Sequence, residues 1–319
     1  GLDFKKKDYI SALEKAKKAE AIYQIINQET NFHFVDWQSA CLSQISSIYG
    51  TMGDISTALD YDLKAMAVFS DNKSHSGYRG AKNAAIQKYK ALERHRKSLL
   101  LSLELIDESL TYGDSTNFSN GLYQASVAYR KLGVLDSAVF YSQKVLALDI
   151  ELNNHDFILS DYSLIGDVFY EMEEMDSALA MYEKTAEMGA TNKHISPNTK
   201  KNFLSANNIS LGAVYLKQGK ISLSQSFLEK GLQQSKEWNY KPIIQSAHGV
   251  LYELYEKKNN YQKTLEHYKA YIAYKDTLSG QEAQNKLANL EIQKEVSRSE
   301  NERAVLEQKA RIQDLEISK

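Results

Sequence analysis

An aromatic residue returns at nearly constant intervals along this chain: Tyr49, Tyr89, Tyr129, Phe169, Tyr215 and Tyr255. The steps are 40 residues, apart from one of 46 between Phe169 and Tyr215. A fixed period in this range marks a structural unit that cannot bury its apolar face alone and must stack on copies of itself. In a chain with 21 tyrosines the aromatics alone prove little, so their neighbours carry the argument. Four residues before each stands an apolar residue: Ile45, Ala85, Ala125, Ile165, Leu211 and Leu251. Nine residues after each stands a small one: Ala58, Ser98, Ala138, Ala178, Ser224 and Thr264. Four residues after come Gly53, Gly133 and Gly219 in three copies, and Glu93, Glu173 and Asn259 in the others.

The spacing has a physical reading. The apolar residue and the aromatic are one helical turn apart and share a face. Gly or Asn suits the left-handed close of that first helix. The small residue falls early in a second helix, where two backbones cross closely and a larger side chain would overpack the contact at about 1–3 kcal/mol. Each unit is therefore expected to be helix, tight turn, helix. Only two prolines occur, Pro197 and Pro242, and both are expected just before or in the loop leading to a first helix, where proline is tolerated.

These residues resemble the tetratricopeptide repeat. The best copies run Ala125-Ser-Val-Ala-Tyr129-Arg-Lys-Leu-Gly133 through Ala138, and Leu211-Gly-Ala-Val-Tyr215-Leu-Lys-Gln-Gly219 through Ser224. Ile165-Gly-Asp-Val-Phe169 through Ala178 and Tyr182 is a third. The copy around Tyr89 is weak, with Glu93 at the turn and Arg94-His-Arg-Lys97 after it. The period departs from the usual family length of about 34 and fits a longer-helix variety. HEAT-type repeats share the period, but the small-residue and Gly positions argue against them. The resemblance covers roughly residues 3–276. It implies an all-α fold, a tetratricopeptide-like α-solenoid winding as a right-handed superhelix of helix-turn-helix repeats. Residues 1–276 are read as a half-repeat, marked by Tyr9, Ala12, Leu13, Ala16 and Ala19, followed by six repeats.

Residues 277–319 are read as a charged helical extension. From Gln281 to Lys319 there is no Pro, Gly or aromatic residue, and Glu, Lys, Gln, Arg and Ala dominate. One seam, Ile292, Val296, Ser299, Arg303, Leu306, Ala310, Gln313 and Ile317, alternates steps of four and three as a coiled coil requires, with a polar middle. A helix of this length, about 58 Å, is marginal alone, so it is expected to pair with a second copy through 281–319 or to fold back on the repeats. The order of parts, long-period repeats closing in Tyr271-Ile-Ala-Tyr-Lys-Asp-Thr-Leu278 and then a Glu/Lys/Gln-rich helix, resembles the sensor regions of Bacteroidetes-type membrane signalling proteins. That resemblance implies a periplasmic sensor, with a membrane segment beyond Lys319 and a histidine kinase or DNA-binding output after it. The alternative is a soluble cytoplasmic adaptor or regulator that dimerises through the C-terminal helix.

Chemistry finds little support. The seven histidines include no His-x-x-x-His pair, and the single Cys41, expected to be a packed small residue, allows neither an internal disulfide nor a Cys-x-x-Cys. No metal and no cofactor is expected. Gly219-Lys220 lacks the Ser/Thr and the earlier glycine of a phosphate loop. The acidic pairs Glu173-Glu174 and Asp156 with Asp161 are placed on or beside turns, with nothing to predict the shared dry site that acid–base work needs. His248 and His267 are expected on the surface or groove of the last repeat. The chain is read as no enzyme. A net charge of −2 supplies no field to steer nucleic acid, and no run of 18 apolar residues spans a membrane.

The expected function is binding of a peptide or protein in the concave groove that a helical solenoid presents. Residues six before, two before and one after each aromatic should turn toward that groove. In the central copies these give the candidate ligand-binding residues Asn83, Gln87, Lys90, Tyr123, Arg130, Asp167 and Tyr170. The polar members are expected to hydrogen-bond a peptide backbone or terminal carboxylate, and Tyr170 to supply an apolar wall. The same register puts Ile209 and Leu216 on the groove.

Overall fold

The computed structural model describes residues 2–29, 34–71 and 75–278, with scattered positions between 301 and 308. Among the described residues regular structure is all helix, without a strand. The helices are α1 (Leu2–Glu29), α2 (Val35–Met52), α3 (Ile55–Asp71), α4 (His75–Ala91), α5 (His95–Thr111), α6 (Ser115–Lys131), α7 (Leu135–Glu151), α8 (His155–Glu171), α9 (Met175–Thr191), α10 (Pro197–Lys217), α11 (Ile221–Glu237) and α12 (Lys241–Lys257). A further helix, α13, spans 261–278. The aromatic of each copy lies near the C-terminal end of an even-numbered helix, and its small partner lies in the first turn of the next. From α4 to α9, 17-residue helices alternate with three-residue turns, and this alternation is the physical origin of the forty-residue period. The longer step has two sources: α10 has 21 residues, and the loop before it runs from 192 to 196. Ser196 caps α10 by accepting from the Thr199 amide, and Pro197 opens it. Pro242 also lies inside a first turn, that of α12, rather than before it.

The turns share one geometry. The residue four after the aromatic takes a positive φ in every copy, including Glu93 (55°) and Glu173 (62°), where the sequence offers no glycine. The amide of the following residue donates to the carbonyl of Tyr49, Tyr129, Phe169, Tyr215 and Tyr255, at 2.8–3.0 Å. This closes the left-handed cap that satisfies otherwise orphaned helix carbonyls. Asn153 and Asn239 repeat the positive φ between one pair and the next.

Within each pair the helices meet where backbones approach. Ser126 of α6 donates to the Ala138 carbonyl of α7 at 2.8 Å. Two copies later the roles reverse: Ser224 of α11 donates to the Gly212 carbonyl of α10 at 2.7 Å. Twelve residues after the aromatic a second ring often stacks on it: Tyr61 on Tyr49 at 5.6 Å, Tyr141 on Tyr129 at 5.3 Å, Phe227 on Tyr215 at 5.4 Å and His267 on Tyr255 at 5.3 Å.

The chain divides into two compact units, one up to Glu93 and one from Arg94. The division falls in the copy around Tyr89, the weakest match to the repeat. In the first unit α1 to α4 pack in chain order. Leu13 and Ala16 of α1 are buried against Ile45, Tyr49, Met52 and Ala58, so the half-repeat completes the core of the first full one. Cys41 is half-buried. In the second unit the core includes a string of local clusters, one of them joining Ile209, Leu216 and Leu228 to Leu251, Leu254 and Tyr255. Leu216 is thus core, not groove. Its position follows the groove register, but a leucine there is taken up by α12. Among the described residues no helix is long and apolar enough to cross a membrane. The seam proposed for a coiled coil lies outside the residues whose contacts are described.

The last repeat holds a further departure from expectation. His248 of α12 is buried, and its Nδ1 lies 2.9 Å from Nδ1 of His267 on α13. Tyr274 stacks on His248, and Tyr255 on His267. One ring must donate and the other accept, so the contact requires that at least one imidazole stay neutral. Burial, then His267 and Lys236, push His248 down from 6.5 to about 4, and burial also lowers His267.

Two outcomes follow from this packing. A Cβ on Gly212 would sit 2.5 Å from Leu228 Cγ and 3.2 Å from the Ser224 carbonyl oxygen, so Gly212→Ala is expected to cost about 1–3 kcal/mol, read by denaturant unfolding. For the histidine pair, the unfolded chain takes up protons below pH 6.5 that the folded pair refuses down to about pH 4. The pair's own contribution to stability is therefore expected to fall through that window and to level off below it. Thermal unfolding of the wild type and of His248→Gln across pH 4–8 checks this: the wild type should lose stability relative to the variant as pH falls from 6.5 to about 4.

Candidate functional site

Arg130, near the C-terminal end of α6, points across to α8. Its Nη1 is bonded to Asp167 Oδ2, and its Nε lies 3.7 Å from Glu171 Oε1. Helical spacing puts Asp167 and Glu171 one turn apart on the same face of α8, so both carboxylates reach one guanidinium. The Tyr182 hydroxyl of α9 donates to Asp167 Oδ1 at 2.8 Å. Burial works against the charge of Arg130, but Asp167 and Glu171 outweigh it and hold the group above its ordinary value. Burial, and then Asp167, push the Tyr182 hydroxyl upward. Both groups keep their protons at any physiological pH.

This network floors a cleft of about 280 Å³, whose walls come from Tyr170 on α8, Ile209, Ser210 and Ala213 on α10, and Ser246 and Val250 on α12. One side is polar and the other apolar. Among the predicted residues Arg130, Asp167 and Tyr170 meet here. Asp167 engages one nitrogen of Arg130 and Glu171 lies beside it, so the charge of the guanidinium is balanced before any terminal carboxylate arrives, although Nε makes no hydrogen bond. With two carboxylates to one guanidinium the cleft is acidic overall. Ile209 is buried yet still contributes to the wall.

Tyr123 belongs to a neighbouring cavity of about 320 Å³ between α6, α7, α8 and α10. Burial, with the negative charge of Asp161 and Asp167, pushes its hydroxyl up to about 12. On the floor lie Asp149 of α7 and Asp161 of α8, 1% and 0% exposed. Asp149 is satisfied, since Ser119 donates to both of its oxygens at 3.0 Å and Asn154 donates to Oδ1 at 2.9 Å. No N–H or O–H donor reaches either oxygen of Asp161. Burial, then the charge of the Asp149 carboxylate and a hydrogen bond with it, push Asp161 up from 3.8 to about 9, so the neutral acid shares its proton with Asp149. Asp161 therefore lies in the buried middle of α8 rather than beside a turn, and its acidic neighbour is Asp149 rather than Asp156. A signal for this was present. The position eight before the aromatic reads Cys41, Ala81, Gly121, Asp161, Asn207 and Ala247, and the position twenty after it reads Phe69, Ser109, Asp149, Gly189 and Ser235. Each aspartate interrupts a column of mostly small, uncharged residues.

Asn83, Gln87 and Lys90 lie on α4, in the first unit, and line neither cavity. All three are half-buried, and burial lowers Lys90 from its ordinary value. Tyr182, Glu171, Ser210, Asp149 and Asp161 are the side chains that sequence register did not single out. Among the described residues no group of three or more His, Cys, Asp or Glu is arranged to hold a metal ion.

No protein-family model matches this sequence, and no curated protein matches it significantly. Solved structures do match in fold. The apo form of RapI is 13% identical and superimposes with a TM-score of 0.67 over 87% of this chain and 73% of its own. BtubC (BKLC) from P. vanneervenii is 16% identical, with a TM-score of 0.61 over 72% of this chain and 92% of its own. The Rap conjugation gene regulator of the plasmid pLS20, solved in complex with the Phr* peptide, is 16% identical, with a TM-score of 0.56 over 86% of this chain and 72% of its own. At these identities the likeness establishes the fold, and the fold is that of the tetratricopeptide-like helical solenoids.

Proposed function

We propose that this chain is a non-catalytic tetratricopeptide module that binds a peptide or protein segment in the cleft floored by Arg130, Asp167 and Tyr182. The observation that carries the reading is the cleft itself. It is a preformed concavity on the first helices of successive repeats, with an apolar wall facing a fixed polar floor, as ligand sites require. The acidic balance favours a segment without a negative charge at this point. Ser210 and Ser246 offer hydroxyls for its backbone, and Tyr170 and Val250 offer contact for an apolar side chain. That the Rap conjugation gene regulator, of similar fold, is solved in complex with a peptide supports a peptide as the ligand. Asn83, Gln87 and Lys90 are proposed as further contacts on the first unit.

The wider setting proposed is the sensor region of a membrane-anchored signal-transduction or transcription-regulating protein, facing the periplasm, with its membrane segment beyond Lys319. Support comes from the order of repeats and charged helix. The alternative, a cytoplasmic adaptor dimerising through 281–319, shares the cleft. Reading the native gene on both sides of this segment separates them. About 20 apolar residues soon after Lys319 favour the sensor, and a stop codon there favours the adaptor.

Binding is tested by fluorescence anisotropy with peptides selected on the wild-type protein. Ala213→Trp fills the cleft from a half-exposed position on α10 and is expected to abolish binding with little change in melting temperature. Retained affinity in that variant would move the site elsewhere. Tyr182→Phe removes one bond to the floor. It is expected to cost about 1 kcal/mol of stability and to weaken binding only a few-fold.

A further inference from the structure

We propose that the second cavity, between α6, α7, α8 and α10, is a site for an organic cation that carries N–H donors, an ammonium or guanidinium group, with the Asp161 carboxylate as its acceptor. The proposal does not depend on the peptide reading of the neighbouring cleft.

A fully buried carboxyl with two unpaired oxygens costs the fold several kcal/mol in general terms. Ser119 and Asn154 are committed to Asp149, and Asp156 is turned to the Ser196 amide, from which it accepts at 2.9 Å. The cavity wall that Asp161 shares is aromatic: Tyr123, Phe157 and Phe203 line it, and Phe157 is exposed at the rim. Rings around a carboxylate floor suit an organic cation, attracted to ring faces and to the acid alike. A metal ion needs several oxygen ligands at short range, which the rings do not supply. A quaternary ammonium satisfies the rings and leaves the Asp161 oxygens without donors. The volume, about 320 Å³, accommodates a single basic group with a short alkyl stem.

Charge balance makes the site proton-linked. The groups that face Asp161 are Tyr123 from α6, Asp149 from α7 and Asp156 from α8, while α10 brings the uncharged Thr199 and Phe203. With its value pushed up to about 9, the empty site holds Asp161 as the neutral acid. An entering cationic group takes the place of that proton, which leaves to solvent, and the net charge of the site is unchanged.

The test is calorimetric titration of the whole chain with agmatine, with tetramethylammonium as a cation lacking N–H, and with matched peptides that differ by one arginine. Agmatine is expected to bind, with affinity rising about tenfold per pH unit from pH 6 to 8. One proton should be released per cation, read from the dependence of heat on buffer ionisation. Tetramethylammonium should bind at least tenfold more weakly. Asp161→Asn should lose agmatine binding while melting no lower than wild type at pH 7.5. If that variant does not fold, proton release by the wild type remains decisive. Binding of agmatine alone identifies a free amine. Binding of only the arginine peptide, lost in Ala213→Trp, identifies a basic side chain of a groove-bound segment. Either supports the site. Absence of binding by every cation, binding without proton release, equal binding of tetramethylammonium, or unchanged binding in Asp161→Asn overturns it.

Discussion

Most of the helical pairs depend on two helices being able to approach closely at one small-residue contact. The contact joins the residue three before the aromatic to the residue nine after it. In four of the six copies both are small, Ser46 with Ala58, Ser126 with Ala138, Gly166 with Ala178 and Gly212 with Ser224, while the other two place Ile86 and Tyr252 at the first position. In those four neither member carries bulk, and the hydroxyls of Ser126 and Ser224 bridge to the opposite carbonyl. A hydroxyl that donates across the contact compensates for what a close approach otherwise leaves polar and dry. The interchange of serine between the helices shows that the requirement falls on the pair, not on either position. From this contact follow the angle of the pair, the stacking of Tyr129 on Tyr141 and Tyr215 on Phe227, and the face that each first helix turns to the clefts.

The clefts use side chains that the solenoid does not need for packing. Asp167 and Glu171 surround Arg130, and Tyr182 braces Asp167, so the floor of the first cleft is fixed before any ligand arrives. Preorganisation of this kind lowers the ordering cost of binding. The second cavity is built on the opposite plan, with one satisfied carboxylate, Asp149, beside one unsatisfied acid, Asp161. A buried acid whose value is raised weakens the fold as pH rises from about 4 toward 9, because the unfolded chain ionises freely in that range. Local rules broken without structural gain tend to mark functional positions.

The helical pairs, their turns and the first-helix register were legible in the amino-acid sequence because each rests on a residue type with one strong physical reason to be there. Aromatic, glycine and small residue all recur, and recurrence reveals the period. The left-handed Glu93 and Glu173 were less visible, since context imposes on glutamate a conformation that glycine takes without strain. Leu216 kept the groove register and was drawn into the core by α12. The cleft residues were partly visible: Arg130, Asp167 and Tyr170 follow from register, whereas Tyr182 projects from a second helix. His248 and His267 looked like surface residues because nothing local says that two imidazoles nineteen positions apart will face each other. Asp149 and Asp161 were hidden because each was weighed against its chain neighbours instead of its column of equivalents.

The extra turn of α10 bears on how the second unit comes apart. A stack in which each helix touches only its neighbours in sequence unfolds like a row of nearly independent links, fraying from its ends. The longer α10 packs against α8 and α12 as well as against α9 and α11. It therefore couples three successive repeats into one cooperative block. Hydrogen exchange along the second unit is expected to be slowest around α10 and to quicken away from it, a kinetic map of the single insertion that breaks the forty-residue beat.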